Sequence, residues 1–247
     1  MIRLRTNRIN NEIVKPIYNT GVKHNKHKGY NLFEDKYANI FICAKKKSGK
    51  TSVIFNIVKK MVNKNTIVVI FASTVYKDNN WREIVKWLRK HNIEHIIETS
   101  TIDKLNDIVI SIQEDIQHDD NEDKESISAE NIQCVCKFPI SDNIDEDNNS
   151  SNSIDYIFIF DNIGQELRSK TISTLLKKNR HLHITNIISS QYWNDIDKQG
   201  RLQLDYVLLF RNHPEDKLRE IYRDLDISIS LNMFLNIYNE VHGGQKK

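Results

Sequence analysis

Cysteine is scarce in this sequence. Cys43, Cys134 and Cys136 are too few and too unevenly placed for a disulfide framework. The Cys134-Val135-Cys136 pair has no second Cys or His pair at zinc-finger spacing, which argues against a zinc site. No apolar run approaches the roughly 18 residues of a membrane-spanning helix, so stable membrane insertion is not expected. The opening residues, Met1-Ile2-Arg3-Leu4-Arg5, lack the apolar stretch of a secretory signal. These absences together lead to the expectation of a cytosolic-type compartment. Acid is almost missing from residues 1–30, where Arg3, Arg5, Arg8, Lys15, Lys23, Lys26 and Lys28 face Glu12 alone. Base is almost missing from Leu105 to Ser153, which holds 13 acidic and 2 basic residues.

That acidic stretch hides a basic body. Outside it stand 34 basic against 20 acidic residues. Such a surface suits a phosphate-rich partner, and it equally suits plain solubility. Residues 1–36 read as a basic arm, either for nucleic acid or as a partly ordered tail. From residue 37 onward, apolar patterning sets in. Ile184 to Ser189 reads as a strand, and Ala38 to Cys43, Thr66 to Ala72, Tyr156 to Phe160 and Asp205 to Phe210 are short, mostly apolar runs rich in β-branched and aromatic residues. Runs of this kind mark strands covered on both faces. Ile93 to Glu98 is a further candidate strand.

Between these runs lie segments with helical spacing, at about 51–62, 80–91, 102–117, 165–179 and 214–238. Strands alternating with helices predict an α/β fold, one mostly parallel sheet sandwiched by helices. Length permits one large domain, taken here as 37–247. Within it, about 118–153 reads as an exposed, partly disordered acidic insertion, because so little apolar surface cannot offset the entropy of ordering.

The strongest local signal is Ala44-Lys45-Lys46-Lys47-Ser48-Gly49-Lys50-Thr51, followed by Ser52. It matches the phosphate-binding P-loop, with Ala44 in place of the first glycine. The loop must curl so that successive backbone N–H groups point at phosphate oxygens. Gly49 keeps a side chain out of that approach, and the helix beginning there offers its positive dipole end. Lys50 would reach the β- and γ-phosphates of ATP, and the Thr51 hydroxyl would ligate Mg²⁺. Ala44 demands a negative φ at its position. A lysine-rich solvated turn is the competing reading.

Such a loop needs a carboxylate at a neighbouring strand tip to hold Mg²⁺. Asp161, after Tyr156-Ile-Phe-Ile-Phe160, is placed to supply it, although Asp161-Asn162 would also make a good turn. Asn162 stands where many related ATPases carry the acid that activates water, and an amide cannot take that proton. Glu166 is the nearest substitute, with Asp78 and Glu98 more remote; Glu166 also fits as a helix-start acid. Gln191, ending Ile184-Thr-Asn-Ile-Ile-Ser-Ser-Gln191, can sense a γ-phosphate and orient water, or simply be solvated. Arg180 is a candidate arginine finger toward a neighbouring subunit, and Arg211 is its rival. His91-Asn-Ile-Glu94-His95 matches a zinc-peptidase string. That chemistry needs one continuous helix, and Asn92-Ile93 looks like a helix-to-strand junction. Trp81 and Trp87 read as packing residues.

Taken together, Ala44–Thr51, the Phe160-Asp161 strand end and Asn179-Arg180-His181-(x)-His183-Ile184-Thr185-(x)-Ile187-Ile188-(x)-(x)-Gln191 resemble the FtsK/HerA superfamily. Within it, the chain is similar to the genome-packaging ATPases of poxvirus-type large DNA viruses and of virophages. Ser73-Thr74 with Asp78 and Trp81, and Asp205-Tyr-Val-Leu-Leu-Phe-Arg-Asn212, are supporting matches. The resemblance implies a P-loop ATP hydrolase in a homo-oligomeric ring that drives double-stranded DNA into a preformed capsid. It implies capsid or portal-vertex partners, and a place in the host cytoplasm at the virus factory and in the virion. By matched position, Arg180 would be the finger and Gln191 the sensor. Asn162 departs from the superfamily's acid, and the insertion is unexpected. Two other readings stay open: a P-loop small-molecule kinase, and a non-hydrolysing ATP-binding assembly subunit.

Overall fold

The computed structural model describes residues 27–99, 102–122, 154–225 and 227–243. Most of the expected arm (1–36), most of the expected insertion (118–153), and Cys134 and Cys136 lie outside those residues. Six strands form one sheet: β1 Asn39–Cys43, β2 Thr66–Ala72, β3 Glu94–Glu98, β4 Asp155–Asp161, β5 Ile184–Ser190 and β6 Tyr206–Leu209. Their order is β3-β2-β4-β5-β1-β6, and every pairing is parallel. The α/β arrangement expected from the apolar runs, one parallel sheet covered by helices, is the one observed.

The helices are α1 Lys50–Met61, α2 Asn79–Lys90, α3 Ile102–Glu122, α4 Lys170–Lys178, α5 Lys198–Arg201, α6 Glu215–Leu225 and α7 Leu231–Gly243. Strand residues alternate between two layers, as a period of two requires. Ile40, Ile42, Val68, Ile70, Ile157, Ile159 and Ile187 pack toward α1 and α2, which contribute Ile54, Ile57, Val58, Trp81, Ile84 and Leu88. Phe41, Val69, Phe71, Phe158, Phe160 and Ile188 pack toward α3, α4 and α6, which contribute Leu105, Ile172, Leu175 and Ile221. β4 thus gives aliphatics to one face and aromatics to the other, with Phe71 stacked on Phe160 at 5.0 Å. Each such fully buried side chain is worth about 1.5–3 kcal/mol.

Three boundaries differ from the periodicity reading. The segment expected as one helix at 165–179 divides into a 3-10 turn, Gly164–Arg168, and α4. Ser169 causes the break: its backbone is extended and its side chain caps α4 by accepting from Ile172 N–H at 3.3 Å. The tail expected as helical over 214–238 is two helices, with Leu218 of α6 packed against Leu235 and Tyr238 of α7. α3 runs on to Glu122, into the segment read as an insertion from 118.

Candidate nucleotide site

The site lies at the C-terminal edge of the sheet, where ligands collect in open parallel folds. Register brings the relevant strand tips level: Cys43 pairs with Ser190 and Leu209, and Asp161 pairs with Ser189 and Ala72. β5 therefore separates the strand leading into the loop from the strand ending in Asp161. Its serines sit between them.

The loop leaves β1 at Ala44, whose N–H donates to Ser190 O at 3.0 Å. Ala44 is not among the residues with positive φ, so its methyl is accommodated. Lys47 (φ 63) and Gly49 (φ 89) are left-handed, and Ser48 Oγ donates to Lys45 O at 2.6 Å. These turns curl the chain into α1, which begins at Lys50 with Gly49 as its N-cap. A Cβ on Gly49 would meet nothing within 4 Å, so its requirement for glycine comes from φ, not from crowding by the protein. No side chain caps this N-terminus, and its first turn holds no acid. The amides at the start of α1 are thus free to face an anion.

Lys50 and Asp161 meet across this loop. Lys50 Nζ is buried, makes no hydrogen bond among the described residues, and lies 3.6 Å from Asp161 Oδ1. Asp161 is 3% exposed. Its Oδ1 accepts from Ser189 Oγ at 2.5 Å and its Oδ2 from Trp81 Nε1 at 3.0 Å. Asp161, Ser189 and the α2 residue Trp81 share one face of the sheet, the face that α1 covers. The residues fit the nucleotide and ion that the loop implies. A buried ammonium without a hydrogen bond is costly unless an anion meets it. One carboxylate with lone pairs to spare, and the hydroxyl that Thr51 carries one residue after Lys50, are the donor types Mg²⁺ takes, with phosphates and water to complete the set. Among the described residues, no cluster of three or more His, Cys, Asp or Glu could hold a metal by itself.

Beside the loop, on the other face, opens a cavity of about 440 Å³. Lys45, Lys46, Gln191, Tyr192, His213 and Lys217 line it, and no carboxylate of the described residues does. Gln191 thus sits level with the loop, one residue past β5. His213 holds the rim, its Nε2–H donating to Cys43 O at 3.0 Å. Burial, with Asp195 nearby, pushes the Cys43 thiol up to about 12.

The other candidates are more scattered. Glu166, in the 3-10 turn after β4, has a buried Oε2 with no hydrogen-bond partner. Asn162 is exposed and left-handed (φ 60), a conformation asparagine tolerates, and its N–H donates to Ser189 O at 3.3 Å. Asp78 is committed to capping α2, accepting from Asn80 N–H at 2.8 Å. Glu98 ends the edge strand β3. Arg180 precedes β5, so it lies at the opposite edge of the sheet from Lys50. There it pairs with Asp205 at 3.1 Å and Asp35 at 3.6 Å. Arg211 follows β6 and is on the loop's own edge. His91 follows the end of α2 and stacks on Trp87, while Glu94 and His95 belong to β3, so the zinc-peptidase string is broken as expected.

Reading the sequence missed two contributors, Ser189 and the indole N–H of Trp81. Ser189 fell on an unread position of the Arg180–Gln191 string. A hydroxyl directly after Ile187-Ile188 and two residues before Gln191, at the buried end of the strand, was the available signal.

Solved structures similar to this chain include B204, the genome packaging NTPase of Sulfolobus turreted icosahedral virus 2. In complex with AMPPCP it is 14% identical over 82% of this chain and 87% of that one, with a TM-score of 0.49. With ATP-gammaS the values are 13%, 82%, 87% and 0.45. B204 described as the DNA-packaging ATPase from Sulfolobus turreted icosahedral virus gives 14%, 82%, 88% and 0.49. No curated protein matches the chain. The P-loop stands outside the matched segment, but residues 131–247, a little under half of the chain, which carry Asp161, Arg180 and Gln191, match the model of the family described as Poxvirus A32 protein, and the resemblance read from the sequence is borne out over those residues.

Proposed function

We propose that this chain is an ATP-driven translocase that packages viral double-stranded DNA into a preformed capsid. The observation that supports this reading most is the buried Lys50 ammonium, free of hydrogen bonds, facing Asp161 beside the left-handed Gly49. The DNA-packaging context comes from the resemblance read in the sequence, and the match of residues 131–247 to the family described as Poxvirus A32 protein agrees with it.

In this reading, residues 44–52 cradle the triphosphate of ATP, with Lys50 on the β- and γ-phosphates. The nucleoside end occupies the 440 Å³ cavity against Lys45, Lys46 and Tyr192. Thr51 and Asp161 would hold Mg²⁺, which when bound would supply neutralisation of the phosphate charge. Glu166 takes the proton of the attacking water, since Asn162 cannot, and Gln191 orients that water. Arg180 of an adjacent subunit stabilises the charge on the transferring phosphoryl group. Hence the working form is a homo-oligomeric ring, with capsid or portal-vertex proteins as partners, in the host cytoplasm and the virion. Residues 1–36 act as a basic arm on a single ATPase domain, 37–247, interrupted by the acidic insertion at about 118–153. Among the described residues no helix is long and apolar enough to cross a membrane.

The deciding experiment measures ATP turnover with and without duplex DNA, in the wild type and in Lys50→Ala. Stimulation by DNA and loss of turnover in Lys50→Ala are expected. Equal turnover by Lys50→Ala would overturn the mechanism. A small-molecule kinase on the same loop would ignore DNA and phosphorylate an acceptor. Asn162 favours one other reading, a non-hydrolysing ATP-binding assembly subunit. Nucleotide binding with no turnover in the assembled ring would establish it.

A further inference from the structure

We infer that Trp81 is a positioning residue for the nucleotide's metal ion, acting by fixing the carboxylate plane of Asp161. The inference rests on the proposed Mg²⁺-nucleotide site and deepens it.

Trp81 is 0% exposed and belongs to the core layer between α2 and the sheet. Packing alone would be served by a phenyl ring. The indole differs by carrying one donor and no acceptor, and a buried indole N–H needs a partner. The partner here is a buried carboxylate oxygen, Asp161 Oδ2, at 3.0 Å. Ser189 Oγ occupies the other oxygen at 2.5 Å. One donor on each oxygen removes the rotation of the carboxylate about its Cβ–Cγ bond. Each oxygen keeps a lone pair, and both donors are anchored on rigid elements, α2 and β5. Outer-shell partners of this kind orient a ligating carboxylate, and losing one typically weakens metal binding 10–100-fold.

The placement is itself secured. Asp78 caps the start of α2 with a bond to Asn80 N–H at 2.8 Å, and the Arg82 guanidinium donates to Tyr76 O at 2.8 Å. The turn of α2 that carries Trp81 is thereby held to the segment after β2. Lys50 stands on the same carboxylate, 3.6 Å from Oδ1, so it meets the oxygen that Ser189 holds, while among the described residues Trp81 holds Oδ2.

The test uses the full chain and Trp81→Phe, which keeps an aromatic ring and removes the donor. Binding of a fluorescent ATP analogue is titrated with Mg²⁺, and repeated in excess EDTA. Trp81→Phe should raise the Mg²⁺ concentration for half-maximal binding about 10-fold or more, with the affinity in EDTA unchanged. Ser189→Ala should act alike, and Trp87→Phe should not. A folded Trp81→Phe with wild-type Mg²⁺ dependence overturns the inference alone. A wild type with no Mg²⁺-dependent nucleotide binding brings down the functional reading and this inference together. If Trp81→Phe does not fold, the wild-type indole N–H resonance of Trp81 decides, assigned through Trp87→Phe and Trp193→Phe. Nucleotide with Mg²⁺ should shift it and nucleotide with EDTA should not; a resonance indifferent to Mg²⁺ overturns the inference.

Discussion

The charged ends of Lys50 and Asp161 stand 3.6 Å apart although β5 separates the strands that lead to them. The pair is unequal. Asp161 keeps Trp81 and Ser189 as donors, whereas Lys50 has no hydrogen bond. Removing the carboxylate strands a buried ammonium and two buried donors at once. Removing the ammonium leaves a carboxylate that is still doubly bonded. Asp161→Ala should therefore cost about 3–5 kcal/mol of folding stability. Lys50→Met, which keeps the apolar stem, should cost no more than about 1 kcal/mol. Denaturant unfolding of both variants checks this; equal losses would contradict it.

Arg180 offers a cleaner separation of fold from chemistry. Its partners Asp205 and Asp35 are on the surface, and its own side chain is 63% exposed. Exposed ion pairs are worth about 0–1 kcal/mol, so Arg180→Ala should unfold almost as the wild type does. An arginine finger is worth roughly 10³–10⁵ in turnover. Arg180 lies at the far edge of the sheet from its own loop, so as the proposed finger it would have to act on another subunit. Mixing Arg180→Ala with Lys50→Ala, each inactive alone, should restore part of the activity. An inactive mixture would shift the role to Arg211, which shares the loop's edge.

Glu166 can be tested as the base. Its Oε2 is buried without a hydrogen-bond partner, five residues beyond Asp161 in the chain. Glu166→Gln preserves shape and removes basicity. Turnover should fall about 10²–10⁴-fold while nucleotide affinity holds. Unchanged turnover would leave water activation to another group.

Much of this was legible from residue order alone. β2 and β4 are wholly or almost wholly buried, and their unbroken apolar runs announced a covered parallel sheet. Ala44–Thr51 announced the curl into α1, because left-handed turns call for residues such as Gly49. What could not be read was strand order. Nothing local says that β5 lies between β1 and β4, yet that insertion sets Ser189 against Asp161. The Trp81 bond was hidden for the same reason, since 80 residues separate donor from acceptor. Ser169 misled in the opposite sense. It ends a 3-10 turn and caps α4, where apolar periodicity continued straight through.

Alkaline pH gives a prediction that does not depend on nucleotide. Burial pushes the Cys43 thiol from its ordinary 9.0 up to about 12, and the Tyr37 hydroxyl, which donates to Asp155 at 2.8 Å, from 10.0 up to about 12. Both groups are neutral in the folded chain and ionise sooner once unfolded. Their contribution is therefore complete below pH 9 and drains away as pH rises toward 12, because the unfolded state sheds protons that the folded state keeps. Denaturant stability should be flat with respect to these two groups up to pH 9, and then fall. In Cys43→Ala the decline should begin nearer pH 10, when Tyr37 alone remains. In Tyr37→Phe the onset should stay near pH 9 with a shallower slope. A wild-type curve whose alkaline decline is unaltered by either substitution would show that neither group is held neutral by its surroundings.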